Sequence, residues 1–161
     1  MNLKSQTTAA AELMYEVDSL YVSTEMILSG RFLEFPLDGL LLEACLLHFR
    51  AVWDFFYGQK KEKTDIVVRD FVPDWKKIAP PPRLKDIRKW LNVMLAHLTT
   101  HRTSPAFKVG EITRADIDQI RQHTKTLYEA FVTALSDDQR KALVNHLAYK
   151  FTRYETLKPS V

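Results

Sequence analysis

A single cysteine, Cys45, stands in a chain of 161 residues. One thiol forms no internal disulfide, and there is no CxxC pair to hold zinc or carry redox chemistry. Glycine is scarce as well, with four in the whole chain, which argues against a sheet protein full of tight turns and for long helices. No apolar run reaches membrane-spanning length. The nearest, Pro36 to Tyr57, is broken by Glu43, His48, Arg50 and Asp54 and reads as a core helix. The N-terminus lacks the basic and apolar blocks of a secretory signal, so the expected location is the cytoplasm, with no membrane partner. The phosphate loops GxGxxG and GxxxxGK[ST] are missing, as are the HExxH and GxSxG motifs. His97 and His101 share one helical face, but two imidazoles need further ligands from elsewhere. Neither a metal nor another cofactor is expected.

What is present is ordinary globular material. Apolar residues make up 46% and charged residues 27%, as in a soluble domain, and the length suits one domain over 1–161 with one core. Apolar positions recur every three or four residues, predicting a first helix from about Thr8 to Ser29, stopped by Gly30. Pro36 or Asp38 opens a second helix that Gly58 closes. Residues 59 to 82 form a long connection, in which "DIVVRDF" suggests a short helical turn and "APPP" forces extended chain. A third helix is predicted from about Arg83 to His101, with Leu84, Ile87, Leu91, Leu95 and Leu98 on one face. Thr113 and Asp116 form a near capping box for a fourth helix carrying Ile117, Ile120, Leu127 and Phe131. Ser136 to Gln139 repeats the grammar and opens a fifth, through Leu143, Leu147, Phe151 and Tyr154. The expected architecture is all-α: an antiparallel four-helix bundle with one additional helix.

Net charge is only +3, but residues 59 to 89 hold ten lysines and arginines against five aspartates and glutamates. That stretch is either a solvated connection or a basic patch. The second helix is more telling. At 100° per residue Glu43, Arg50, Asp54 and Tyr57 share a wedge about 60° wide, while Leu40, Cys45, Phe49, Val52, Phe55 and Phe56 occupy the rest. The wedge is either the helix's one solvated strip, with Arg50 and Asp54 as an i,i+4 pair, or half of a polar network against another helix. An antiparallel third helix would bring Arg50 level with Arg88 to Asn92, Asp54 with Lys85, and Glu43 with His97. Arg88 and Asn92 border its apolar face on one side, His97 and His101 on the other. A Glu43–His97 contact would fix the imidazole tautomer, which favours the His97 side.

The strings "LEACLLHFRAVWDFFYG", "VVRDFVPDW" and "LNVMLAHLTTHR" resemble a recurrent set in uncharacterised bacterial helical proteins, over roughly residues 36 to 102. More distantly, the chain resembles HEPN-type helical bundles, which include RNases of toxin–antitoxin and defence systems and nucleotide-binding relatives, and which often dimerise. Their signature is an arginine followed within a few positions by histidine. Asn92 to His97 matches its polar-residue-to-histidine part, but Leu91 stands in the arginine's place. Arg140 to His146 has the literal spacing, which ten arginines and five histidines produce about once by chance. The resemblance implies a ribonuclease or nucleotide-binding protein with His97, Arg50 and Asn92 as candidate catalytic residues. Glu43, Asp54, Arg88 and His101 are the candidate binding residues, and RNA or a nucleotide the partner. Whether the protein is an enzyme stays open. The competing expectation is a regulatory interaction module, a homodimer or protein-binding bundle, that meets its partner through Phe32, Leu33, Phe35, Phe71, Val72 and Trp75.

Overall fold

A computed structural model of the chain describes residues 3–30, 37–60, 62, 64–94 and 112–141, and these form helices with no strand among them. Four helices are placed: α1 (Leu3–Ser29), α2 (Leu37–Tyr57), α3 (Pro82–Met94) and α4 (Arg114–Ala134). A 3-10 turn at Val68–Asp70 interrupts the long connection, where "DIVVRDF" suggested one. Gly30 closes α1 with φ 70° and its N–H on the Ile27 carbonyl, a left-handed position that costs a residue with a Cβ about 1–2 kcal/mol. Thr113 caps α4 in a full capping box: its Oγ1 accepts from the Asp116 N–H, and the Asp116 carboxylate accepts from the Thr113 N–H. The same reciprocal pair joins Ser136 and Gln139 and opens a helical stretch at 137–141. The later part of the fifth predicted helix lies outside the described residues.

Packing places α1 against α2 and α4, with α3 touching α2 and α4. α1 and α2 run antiparallel, since Glu16 meets His48 at 2.8 Å while Ser23, later in α1, meets Cys45, earlier in α2. α1 and α4 are also antiparallel: Met14 lies by Tyr128, and Glu25 by Arg121. The core follows the predicted periodicity. Leu13, Val17 and Leu20 of α1, Cys45, Phe49, Val52 and Phe56 of α2, Leu84, Ile87 and Leu91 of α3, and Ile117, Ile120, Leu127 and Phe131 of α4 are all buried. Burial among them pushes the Cys45 thiol up to about 11, with a Ser23 hydrogen bond opposing weakly, so it is a packing residue and not a thiolate nucleophile.

Two expectations are corrected. Leu40, assigned to the buried circumference of α2, is 59% exposed, because the solvent strip of that helix extends past the polar wedge. Phe71 and Trp75 do not wait for a partner. They are buried, with Val72 packed beside them, because Val68, Phe71 and Trp75 recur at three- and four-residue spacing and turn one apolar face onto the core. There Phe71 meets Phe131 edge-on at 5.6 Å between centroids and Phe55 at a tilt at 5.8 Å, and Trp75 meets Phe56 at 5.7 Å. Such pairs add about 0.5–1.5 kcal/mol each beyond area burial. Phe32, Leu33 and Phe35 lie outside the described residues. No described helix is long and apolar enough to cross a membrane.

Candidate functional site: a polar cleft and its neighbour

The end of α2, the middle of α3 and the connection at 58–67 enclose a cleft of about 520 Å³, within the size range of small-molecule sites. Arg50, Asp54, Arg88 and Asn92 line it together, with Trp53, Tyr57 and Asp65. The Arg50–Asp54 part of the α2 wedge therefore reaches another helix while staying open to solvent, with side chains 33% and 50% exposed, so each of the two alternatives holds in part. The side of α3 that meets it carries Arg88 and Asn92, where the sequence favoured the His97 side, and Asp54 pairs with Arg88 and not with Lys85. Arg88 Nη2 donates to Asp54 Oδ1 at 2.5 Å, and its Nη1 donates to Asn92 Oδ1. Arg50 Nε stands 3.9 Å from Asp54 Oδ2. Glu43 is exposed and does not line the cleft; His97 and His101 lie outside the described residues.

The two ends of this network differ in exposure. The Arg88 side chain is 12% exposed and that of Asp54 is 50%, so solvent screens the pair and its net stabilisation is about 1 kcal/mol at most. Arg88 Nε is buried and finds no acceptor among the described residues. A guanidinium offers five N–H donors in a fixed fork, so the fork is only partly used by Asp54 and Asn92. The half-exposed carboxylate and the exposed amide of Asn92 add acceptors and donors at the mouth. Trp53 and Tyr57, both partly exposed, form a ring wall with centroids 4.6 Å apart.

Behind that wall sits a contact the sequence did not single out. Tyr57 Oη lies 2.8 Å from the Ile78 carbonyl and 2.7 Å from His123 Nε2. A carbonyl has no proton to give, so the phenol donates to Ile78 and accepts from His123, which fixes the Nε2–H tautomer. Burial pushes the Tyr57 phenol up to about 12 and the His123 imidazolium down. The legible signal was position: His123 falls between Ile120 and Leu127 on the apolar stripe of α4.

A second cavity of about 390 Å³ adjoins the first, sharing Gly58, Gln59 and Val67 with it. Lys60, Arg69, Lys77, Asp70, Phe56 and Trp75 are among its walls. Lys60 Nζ donates to both Asp70 oxygens at 3.0 and 3.2 Å. Burial would raise the Asp70 pKa, but the Val67 N–H and Lys60 outweigh it and hold the carboxyl below its usual range. Trp75 Nε1 is buried and has no acceptor among the described residues, a deficit of about 1–3 kcal/mol. Among the described residues no cluster of three histidine, cysteine or carboxylate side chains is arranged to hold a metal ion. No protein-family model, curated protein or solved structure matches the chain.

Proposed function

We propose that this protein is a small helical-bundle binding module of the cytoplasm whose cleft between α2 and α3 takes a nucleotide, free or within RNA. One observation carries the reading: Arg88, Asp54 and Asn92 converge beside the partly exposed rings of Trp53 and Tyr57. Base edges present adjacent donors and acceptors, which a guanidinium fork, a carboxylate and an amide complement, and base faces stack on aromatic rings. The remote HEPN-type likeness supports the same reading, since that group includes nucleotide-binding relatives and RNases. The reading is of binding, and cleavage is a separate outcome of the same test.

The test is calorimetry with the four ribonucleosides, their 5′-monophosphates and a short single-stranded RNA, with the RNA inspected for cleavage afterwards. Saturable binding that favours one base, weakened at least tenfold by Asn92→Ala, is the expected result. Asn92 is exposed, so that variant should fold. Absence of binding at millimolar ligand, or equal binding by the variant, refutes the reading.

A second reading, a dimer of regulatory or toxin–antitoxin type, is favoured by the exposed Tyr15, Val22, Leu40 and Leu47. Each pair is spaced seven residues along its helix, so Tyr15 with Val22 and Leu40 with Leu47 form an outward apolar stripe on α1 and on α2. Sedimentation showing dimers that Leu40→Gln with Leu47→Gln dissociates would establish it; monomers at high micromolar concentration would dismiss it.

A further inference from the structure

The two adjoining cavities differ in charge in a way that divides a nucleotide between them. The cleft carries Arg50 and Arg88 against Asp54 and Asp65, two cations and two carboxylates. It has no charge surplus with which to hold a phosphate. Its neighbour carries Lys60, Arg69 and Lys77 against Asp70 alone, and the single carboxylate there already faces Lys60 and the Val67 N–H. Arg69 and Lys77 are exposed. The Trp75 indole, 7% exposed, forms part of that cavity's wall. Between the two lies a ridge of the residues they share, Gly58 and Gln59 on one stretch of chain and Val67 on another.

We infer that the phosphate of the bound nucleotide lies in this second cavity, across the ridge from its base. The inference rests on the nucleotide-binding reading and adds the ligand's orientation and the residues that hold its charge. Lys60, Arg69 and Lys77 supply the positive field, in which a phosphate is held at long range and in a salt-dependent way. Arg88, already shared between Asp54 and Asn92, serves the base and not the phosphate. The basic segment at 59 to 89 thus acts locally, through the three cations that its fold gathers, and not as a diffuse patch.

The experiment measures the affinity ratio between a nucleoside and its 5′-monophosphate, using whichever base the protein prefers, at 50 and 200 mM KCl. In the wild type the monophosphate should bind at least tenfold more tightly, and the ratio should shrink at the higher salt. Arg69→Gln with Lys77→Gln leaves the Lys60–Asp70 pair in place; it should bring the ratio below threefold without changing nucleoside affinity. Asn92→Ala should weaken nucleoside and nucleotide equally, keeping the ratio. A pentaribonucleotide arm separates the sources: tighter binding than the monophosphate, lost in the double variant, identifies a phosphate within an RNA strand, and weaker binding identifies a free nucleotide. If the double variant keeps the wild-type ratio, the phosphate lies elsewhere and the inference fails while the cleft reading stands. If neither nucleoside nor nucleotide binds the wild type, both fall together.

Discussion

Acidification should weaken this protein through one carboxylate above others, Asp116 at the start of α4. Arg83 of α3 grips it bidentately, Nε to Oδ1 and Nη2 to Oδ2, both at 2.9 Å, while the Thr113 N–H and hydroxyl take Oδ2 at 2.9 and 3.1 Å. The Arg83 hydrogen bonds, and then those of Thr113, overcome the burial of the group and lower its pKa from 3.8 to about 2. Each pH unit of depression corresponds to about 1.4 kcal/mol, so ionised Asp116 stabilises the fold by roughly 2.5 kcal/mol at neutral pH. The folded pKa lies below the unfolded one, so this stability is complete above about pH 4 and is lost as pH falls toward 2. About half should be gone at pH 3. Asp116→Asn removes the titrating group and should cost about 2 kcal/mol at pH 6, roughly 4–8 °C in Tm. Its stability should then fall less steeply than that of the wild type between pH 4 and pH 2. Urea denaturation of both proteins at pH 6, 4, 3 and 2 reads this out. Parallel curves would show that Asp116 is not held as described, and the Arg83 tether between α3 and α4 would lose its support.

Four further outcomes follow from packing and hydrogen bonding. Phe131→Ala should cost about 3–5 kcal/mol, since Phe131 is fully buried where Phe55, Phe56 and Phe71 converge on its ring; denaturant midpoints check it, and a loss under 1 kcal/mol would contradict that core. Tyr57→Phe should cost about 1–3 kcal/mol by stranding the Ile78 carbonyl and His123. His123 itself, with its pKa lowered by burial, stabilises the fold fully above pH 6.5 and loses that contribution as pH falls; His123→Asn should flatten stability between pH 6.5 and 5, and an unchanged slope would exclude a neutral buried imidazole. Gly58→Ala should cost about 1–3 kcal/mol, because a Cβ there would sit 2.2 Å from the backbone oxygen of Asp54; wild-type stability in that variant would mean the end of α2 relaxes freely.

Much of the fold was legible because helical periodicity is a local property. The buried faces of α3 and α4 follow Leu84, Ile87, Leu91 and Ile117, Ile120, Leu127 and Phe131 as spaced in the sequence, and the Thr113–Asp116 cap is readable from two residues. The site was half legible for the same reason. Wedge geometry on α2 shows that Arg50 and Asp54 lie together, and antiparallel register brings Arg50 level with Arg88 to Asn92, though it sets Asp54 against Lys85 where Arg88 is found. Helix rotation is not local. Arg88 with Asn92 and His97 with His101 flank the apolar face of the third helix on opposite sides, and periodicity ranks neither side. What selects the Arg88 side is tertiary, including the Arg83–Asp116 bridge one turn before Arg88. The second cavity was hidden because its cations lie on a connection, where no period relates Lys60 to Lys77.

That division between helices and connection bears on how the site would discriminate. Arg88 sits beside Ile87 and one turn before Leu91, both fully buried, and α3 is tied at Arg83 to the cap of α4. With its core face locked and one end clamped, α3 has little freedom to roll, so Arg88 and Asn92 are presented at a fixed angle to Asp54. The cations of the neighbouring cavity stand on the connection between α2 and α3, Arg69 within the short Val68–Asp70 turn and Lys60 and Lys77 to either side of it, and a point-charge interaction with phosphate tolerates a displacement that a base-edge hydrogen bond does not. On the nucleotide reading, Arg83→Gln should therefore blunt discrimination between bases by several fold while leaving the gain from phosphate nearly intact. Measured with the same ligand set, equal loss of both would place the specificity of the cleft outside α3.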